Sequence, residues 1–138
     1  MKIQSIFSPE KFLLLAGGFS VIIGILGVFS LGPTHEHSVL GTFLWMDHKE
    51  NVFHTLLGLI GLSIVLIPSL KATLHPHYKQ IVFVAASIAL FFSLYGFLEA
   101  YNIILPPIDF NLQHPADNVL HLLLGLWALT AVIVGRKG

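Results

Sequence analysis

The sequence contains no cysteine and few charged residues, because Asp, Glu, Lys and Arg together make up 10% of its 138 residues. Without cysteine, disulfide bonds, thiolate metal ligands and cysteine nucleophiles are all excluded. A water-soluble domain carries about 25% charged residues, so this chain has too few to cover a surface that faces water. Its seven basic and seven acidic residues cancel, which leaves no positive field to attract nucleic acid. The composition predicts a membrane protein with no nucleic-acid partner.

Four long apolar segments account for most of the remaining sequence. A helix needs about 20 apolar residues to cross the hydrocarbon core of a bilayer. Segments of this length cover residues 12–31, 51–70, 80–98 and 117–134. The first is too long for a signal peptide, and no cleavage site follows it. We therefore predict an all-α fold, a polytopic four-helix bundle in direct contact with lipid, which forms a single domain over residues 1–138.

The basic residues predict the orientation of the bundle. All but Lys49 lie on one side of the predicted spans: Lys2, Lys11, Lys71, Lys79, Arg136 and Lys137. Loops rich in Lys and Arg stay in the cytoplasm. We therefore expect a cell inner-membrane protein with both termini cytoplasmic. Six of the eight histidines fall on the opposite, outer side: His35, His37, His48, His54, His114 and His121.

An internal repeat divides the chain into two halves, about 1–70 and 71–138. Seven of the nine residues from Asn51 to Leu59 recur unchanged 67 positions later, from Asn118 to Leu126. The same offset places the first span over the third without a gap. The repeat predicts two helical hairpins of equal orientation, related by a pseudo-twofold axis along the membrane normal.

Each copy of the repeat carries an acidic residue, an asparagine, a histidine and a glycine on one side of its helix. These are Glu50, Asn51, His54 and Gly58 in the second span, and Asp117, Asn118, His121 and Gly125 in the fourth. Small residues on the first and third spans permit close approach between helices: Gly17, Ser20, Gly24 and Gly27, and Ala86, Ala89, Ser93 and Gly96. We predict that the two Asn/His pairs face each other in the outer third of the bundle.

These paired N-x-x-H-x-x-x-G segments resemble those of a bacterial inner-membrane family with four short spans and no assigned activity. Asn51, His54 and Gly58 carry the likeness in one half, and the run from Asp117 to Gly125 carries it in the other. The glycine-rich first span is also similar. The likeness covers most of the chain and is most specific over residues 116–121. It implies the four-span fold and supplies no activity.

Our first hypothesis is a non-catalytic accessory or stabilising subunit of a larger membrane complex, with other membrane proteins as partners. In this interpretation His54 and His121 are structural, and each bonds the asparagine of the other repeat, Asn118 or Asn51. Catalysis is not expected, because the sequence has neither a nucleophile elbow nor an H-E-x-x-H motif.

Two alternatives use the same histidines as ligands. In the first, His54 and His121 bind a haem or a (bacterio)chlorophyll, Gly58 and Gly125 leave room for the macrocycle, and Asn51 and Asn118 lie beside it. In the second, a metal ion or a proton is held on the outer face by His54, His121, Glu50 and Asp117. Loop residues such as His35, His37 and His48 are further candidate metal ligands.

Overall fold

A computed structural model of the chain describes residues 6–30, 47–101, 103 and 115–135, and its regular structure in these ranges is helical throughout. The elements in chain order are α1 (Pro9–Ser30), α2 (His48–Leu66), α3 (Pro68–Leu74), a 3₁₀ turn (His75–His77), α4 (Tyr78–Ala100) and α5 (Pro115–Val134). The helices pack as a bundle, so the predicted all-α four-helix fold is confirmed. Of the predicted loop ligands, His35 and His37 lie outside the described residues, and His48 is the first residue of α2.

Local signals place the ends of α2. At its start, Asp47 Oδ1 accepts a hydrogen bond from Glu50 N and Glu50 Oε2 accepts one from Asp47 N, each 2.8 Å long. This capping box satisfies backbone donors that have no partner within the helix. At its end, Pro68 disfavours helical backbone at the preceding residue, and Ile67 is extended, with φ −83° and ψ 117°. The helix therefore ends at Leu66, earlier than the predicted span.

The connection between the second and third spans, predicted as a loop, is helical. Pro68 occupies the first turn of α3, where its missing N–H group costs nothing. One side-chain bond attaches this connection to the bundle, because Lys71 Nζ lies 2.7 Å from Glu10 Oε1. At the start of α4, the Tyr78 hydroxyl donates to Ile64 O of α2 over 2.9 Å. The connection is thus an ordered cap on the end of the bundle at which α1 begins.

The bundle is built from two hairpins, since α1 packs mainly along α2 and α4 mainly along α5. Helix α1 also contacts α4 and α5 and so joins the hairpins. Near its start, the Phe12 and Trp127 rings meet edge to face with centroids 5.0 Å apart. Helices α1 and α2 thus form one hairpin, and α4 and α5 form the other.

Buried residues of α1 correspond to buried residues of α4 that lie 69 positions later in the chain, not 67 positions later as the repeat predicts. The matching pairs are Leu13 and Val82, Gly17 and Ala86, Gly24 and Ser93, and Gly27 and Gly96. The expected gap-free repeat is therefore wrong. The chain between Gly27 and its partner Asn51 is two residues longer than the chain between Gly96 and Asn118, and this difference shifts the register of the two hairpins.

The interior of the bundle combines an apolar core with a few buried polar side chains, and its surface is apolar as well. Asn51 and Asn118 are completely buried, while Phe29 is 82% exposed and Ile133 is 72% exposed. Large apolar side chains face outward when the solvent is lipid, because lipid solvates them as well as the protein interior does. Within the ranges that the structure describes, four helices are long and apolar enough to cross a membrane. The chain is accordingly a multi-pass membrane protein.

Candidate functional site

The histidines of the two repeats meet at the interface between the hairpins. The imidazole centroids of His54 and His121 are 6.1 Å apart and the ring planes are inclined by 44°. Each residue lies six positions after the first residue of its helix, His48 or Pro115, which places it about 9 Å along the helix axis. The histidines of the two predicted Asn/His pairs thus lie beside each other in the first third of their helices.

Both imidazoles have the same hydrogen-bond arrangement. Nδ1 of His54 lies 2.8 Å from the carbonyl oxygen of Glu50, and Nδ1 of His121 lies 2.9 Å from that of Asp117. A carbonyl oxygen can only accept, so Nδ1 carries the proton in each ring. Among the described residues, Nε2 of neither ring has a hydrogen-bond partner. Nε2 is therefore the atom of each histidine that is available to a ligand.

The predicted bonds between histidines and asparagines are not formed. The side chain of Asn51 packs against Gly27 in its own hairpin, and that of Asn118 packs against Gly96. Within the part of the chain that the structure describes, the Asn51 amide has no hydrogen-bond partner. Each asparagine thus belongs to a hairpin interface and not to the histidine pair, because it lies about 60° around the helix from the histidine that follows it.

A small cavity lies between the two histidines. Its volume is about 30 Å³, and its wall combines polar and apolar side chains from three helices: Phe19, Ser20, Ile23, Glu50, His54, Asp117, Leu120, His121 and Leu124. One water molecule needs about 10–15 Å³ by this measure. The cavity therefore admits about two water molecules or a single ion.

The two carboxylates of the predicted metal site line this cavity but serve their helices as well. Glu50 completes the capping box of α2, and Asp117 is buried in the first turn of α5. A carboxylate in the first turn of a helix is stabilised by the positive end of its dipole. No three His, Asp or Glu side chains of the described ranges stand close enough to share one metal ion.

A tetrapyrrole does not fit between these histidines. Pockets for cofactors measure about 300–1,000 Å³, whereas this cavity has about 30 Å³. The glycines expected to leave room for a ring are covered by the neighbouring helix: Gly58 by Gly17 and Val21, and Gly125 by Leu90. The space beside each glycine is already filled within its own hairpin.

Aromatic and α1 residues around the site were not predicted from the sequence. The Phe53 ring lies 6.2 Å from His54, and the Phe92 ring lies 6.2 Å from His121. Phe19 and Ile23 of α1 form part of the cavity wall. Ser20 belonged to the predicted small-residue stripe, and this stripe was the only sequence signal for the contribution of α1.

The fold and the site define a class: a multi-pass helical membrane protein with two hairpin repeats and one histidine pair between them. Comparisons of the chain with known protein families, with curated proteins and with solved structures found no match. The resemblance to a bacterial inner-membrane family therefore stays a prediction.

Proposed function

We propose that this chain is a non-catalytic accessory protein of the membrane, and that its paired histidines bind a transition-metal ion. The observation that carries the proposal is the convergence of His54 and His121 from equivalent positions of two repeats, with both Nδ1 atoms engaged by backbone carbonyls. The asparagines and glycines that were predicted to lie beside a macrocycle instead pack within the two hairpins.

The hydrogen bonds behind the rings support a ligand role. Histidines that bind metals nearly always donate their second ring N–H group to a carbonyl or carboxylate oxygen, which fixes the tautomer and makes the other nitrogen more basic. His54 and His121 both do so through the carbonyl four residues earlier. The rings are therefore held with a lone pair on Nε2, as imidazole ligands must be.

The surroundings of the cavity favour a cation. Glu50 and Asp117 line the cavity together with the two imidazoles, so its polar wall consists mainly of hydrogen-bond acceptors. A positive charge is attracted to such a wall more strongly in a bundle surrounded by lipid than in water, because the dielectric constant is lower. This attraction does not require the two carboxylates to bind the ion directly.

The size of the cavity supports an accessory role. About 30 Å³ admits an ion but no organic substrate. In the described helices, the site has no room for the substrate pocket of an enzyme or for the ring of a pigment. We therefore propose that the protein works beside other membrane subunits.

We propose further that the site faces the outside of the cell inner membrane. Lys11, Lys71 and Lys79 lie at the end of the bundle where α1 begins, and the histidine pair lies toward the opposite end. Basic residues stay in the cytoplasm. A fluorescent protein fused after Gly138 should fluoresce, and alkaline phosphatase fused there should be inactive. Phosphatase activity at Gly138 would contradict this orientation.

Metal binding can be measured on the purified protein in detergent. The protein is equilibrated with Zn(II), Ni(II) or Cu(I), desalted, and assayed by elemental mass spectrometry. We expect about one ion per chain for the wild type, and loss of that ion in His54→Ala and in His121→Ala. His75→Ala and His77→Ala are matched controls, because these two histidines lie in the 3₁₀ turn at the other end of the bundle.

Two results with these variants would contradict the proposed metal site. If His54→Ala and His121→Ala keep their helical circular dichroism and their monodisperse elution yet retain the ion, the ion is bound elsewhere and the proposal fails. Metal loss in the His75→Ala or His77→Ala variant would assign binding to the connection between α2 and α4 instead.

A further inference from the structure

We infer that the ion and its bound water occupy only one side of the histidine pair, the side formed by α1 and α5 (the α1–α5 side), and that Ile23 and Leu120 limit their size. This inference rests on the proposed function and adds to it the position of the ion and the residues that determine the space around it. It follows from an asymmetry between the two repeats in the wall of the cavity.

The cavity wall has a symmetric part and a one-sided part. Its carboxylates and imidazoles come in equivalent pairs from the two repeats, whereas its other five residues all lie on α1 or α5: Phe19, Ser20, Ile23, Leu120 and Leu124. Residues of α1 correspond to residues of α4 at an offset of 69, and residues of α2 to residues of α5 at an offset of 67. The five counterparts on α4 and α2 do not line this cavity: Ile88, Ala89, Phe92, Phe53 and Leu57. The cavity therefore lies on the α1–α5 side of the histidines.

Two aromatic side chains explain why the cavity is one-sided. Phe92 stands where α1 has Ile23, and the centroid of its ring lies 6.2 Å from that of His121. Phe53 stands where α5 has Leu120, and its ring lies 6.2 Å from that of His54. A phenyl ring fills more space than the side chain of leucine or isoleucine, and a void in a packed interior marks a place where side-chain volume is missing. Ile23 and Leu120 thus leave open the space that the two rings occupy at the equivalent positions.

The two sides also differ in polarity. Ser20 adds a hydroxyl group to the wall on the α1–α5 side, whereas Ala89, its counterpart on α4, has no polar atom in its side chain. A hydroxyl oxygen can accept a hydrogen bond from bound water, and it can donate one as well. The space and the additional polar group therefore lie on the same side of the histidine pair.

Exchanging residues between the two sides tests the size limit. Ile23→Phe and Leu120→Phe each give the α1–α5 side the residue of the opposite side and should fill the cavity. We expect Zn(II) binding by the purified protein in detergent to weaken about tenfold or more in either variant, measured by competition with a chelator of known affinity. Phe92→Ile and Phe53→Leu are the matched controls, because they make the reverse exchange away from the cavity, and they should keep the affinity to within about threefold.

A single cysteine tests the position of the ion independently. The sequence has no cysteine, so Ser20→Cys and Ala89→Cys each introduce one thiol, at equivalent positions of α1 and α4. Cd(II) is the probe, because soft ions bind thiolate ligands strongly. Ser20→Cys should show the ultraviolet charge-transfer absorption of a cadmium–thiolate bond, and Ala89→Cys should not.

The outcomes separate this inference from the metal site on which it rests. If His54→Ala and His121→Ala lose Zn(II) while the two folded phenylalanine variants of the α1–α5 side keep it, the inference fails and the metal site stands. A cadmium–thiolate band of equal strength in both cysteine variants, or in the α4 variant alone, has the same consequence. Where a phenylalanine variant does not fold, the cysteine pair decides. If neither Zn(II) nor Cd(II) binds in a way that depends on the histidines, the proposed function fails together with this inference.

Discussion

Gly58→Ala should lower the free energy of unfolding of the bundle by about 1–3 kcal/mol, as overpacking of a close interface does. An added Cβ atom would lie 2.5 Å from the carbonyl oxygen of Gly17 and 2.8 Å from the backbone nitrogen of Val21. Backbone atoms of a helix cannot turn away as the end of a side chain can. The α1 and α2 helices must therefore separate, and contacts along the whole hairpin weaken.

The equivalent glycine of the second hairpin should tolerate alanine better. A Cβ atom at Gly125 would meet Cγ and Cδ2 of Leu90 at 2.7 Å, with the nearest backbone atom at 3.2 Å. A leucine side chain can change rotamer, so the loss should be smaller than at Gly58. Gly18→Ala is the matched control, because nothing lies within 4 Å of its Cβ position, and alanine favours a helix over glycine.

Unfolding in mixed micelles, followed by circular dichroism as the fraction of denaturing detergent rises, gives the three stabilities on one scale. We expect Gly18→Ala to be the most stable of the three variants, Gly125→Ala to be intermediate and Gly58→Ala to be the least stable. Equal stabilities for Gly58→Ala and Gly18→Ala would show that α1 and α2 are not in contact at Gly58.

The second large effect is expected where an asparagine packs on a glycine. A Cβ atom added at Gly27 would overlap the amide oxygen of Asn51, and one at Gly96 would overlap that of Asn118. Both asparagines are completely buried, so their short side chains have no free space to enter. Gly27→Ala and Gly96→Ala should each destabilise the bundle by about 1–3 kcal/mol.

A double-mutant cycle tests this contact directly. Asn51→Ala removes the amide that the new methyl group would overlap, so the double variant Gly27→Ala/Asn51→Ala should be more stable than the sum of the single effects predicts. We expect a coupling energy of about 1 kcal/mol or more, as is typical of residues in contact. Gly96→Ala with Asn118→Ala forms the symmetric cycle.

A mismatched pair supplies the control for the cycle. Gly27→Ala combined with Asn118→Ala joins positions in different hairpins and should be additive within about 0.5 kcal/mol. Strong coupling in the mismatched pair, or none in the matched pair, would contradict the register found between α1 and α2. Metal binding provides a second readout, because these variants leave His54 and His121 in place.

The spans and the repeat could be predicted from the sequence because they depend on local properties. Hydropathy over about 20 residues measures whether a segment can lie in lipid, and each of the four predicted spans contains most of an observed helix. The ends of the helices were less predictable. The helical connection after Pro68 is short and polar in places, and its order depends on bonds such as that from Lys71 to Glu10.

The histidine pair could also be predicted, and for a related reason. Identical residues at equal positions of two parallel repeats are brought to equal heights by any symmetric packing. His54 and His121 meet as expected. Their Nδ1 bonds are local too, because a histidine one turn from a carbonyl can reach it within its own helix.

The partners of the asparagines were decided by the tertiary structure alone. A repeat offset of 67 describes α2 and α5, but the contacts of α1 and α4 follow an offset of 69, since the chain that closes the first hairpin is two residues longer. Two residues rotate the face of a helix by about 200°. Which small residue meets Asn51 or Asn118 therefore depends on how each hairpin closes, and periodicity within a single helix carries no information about that.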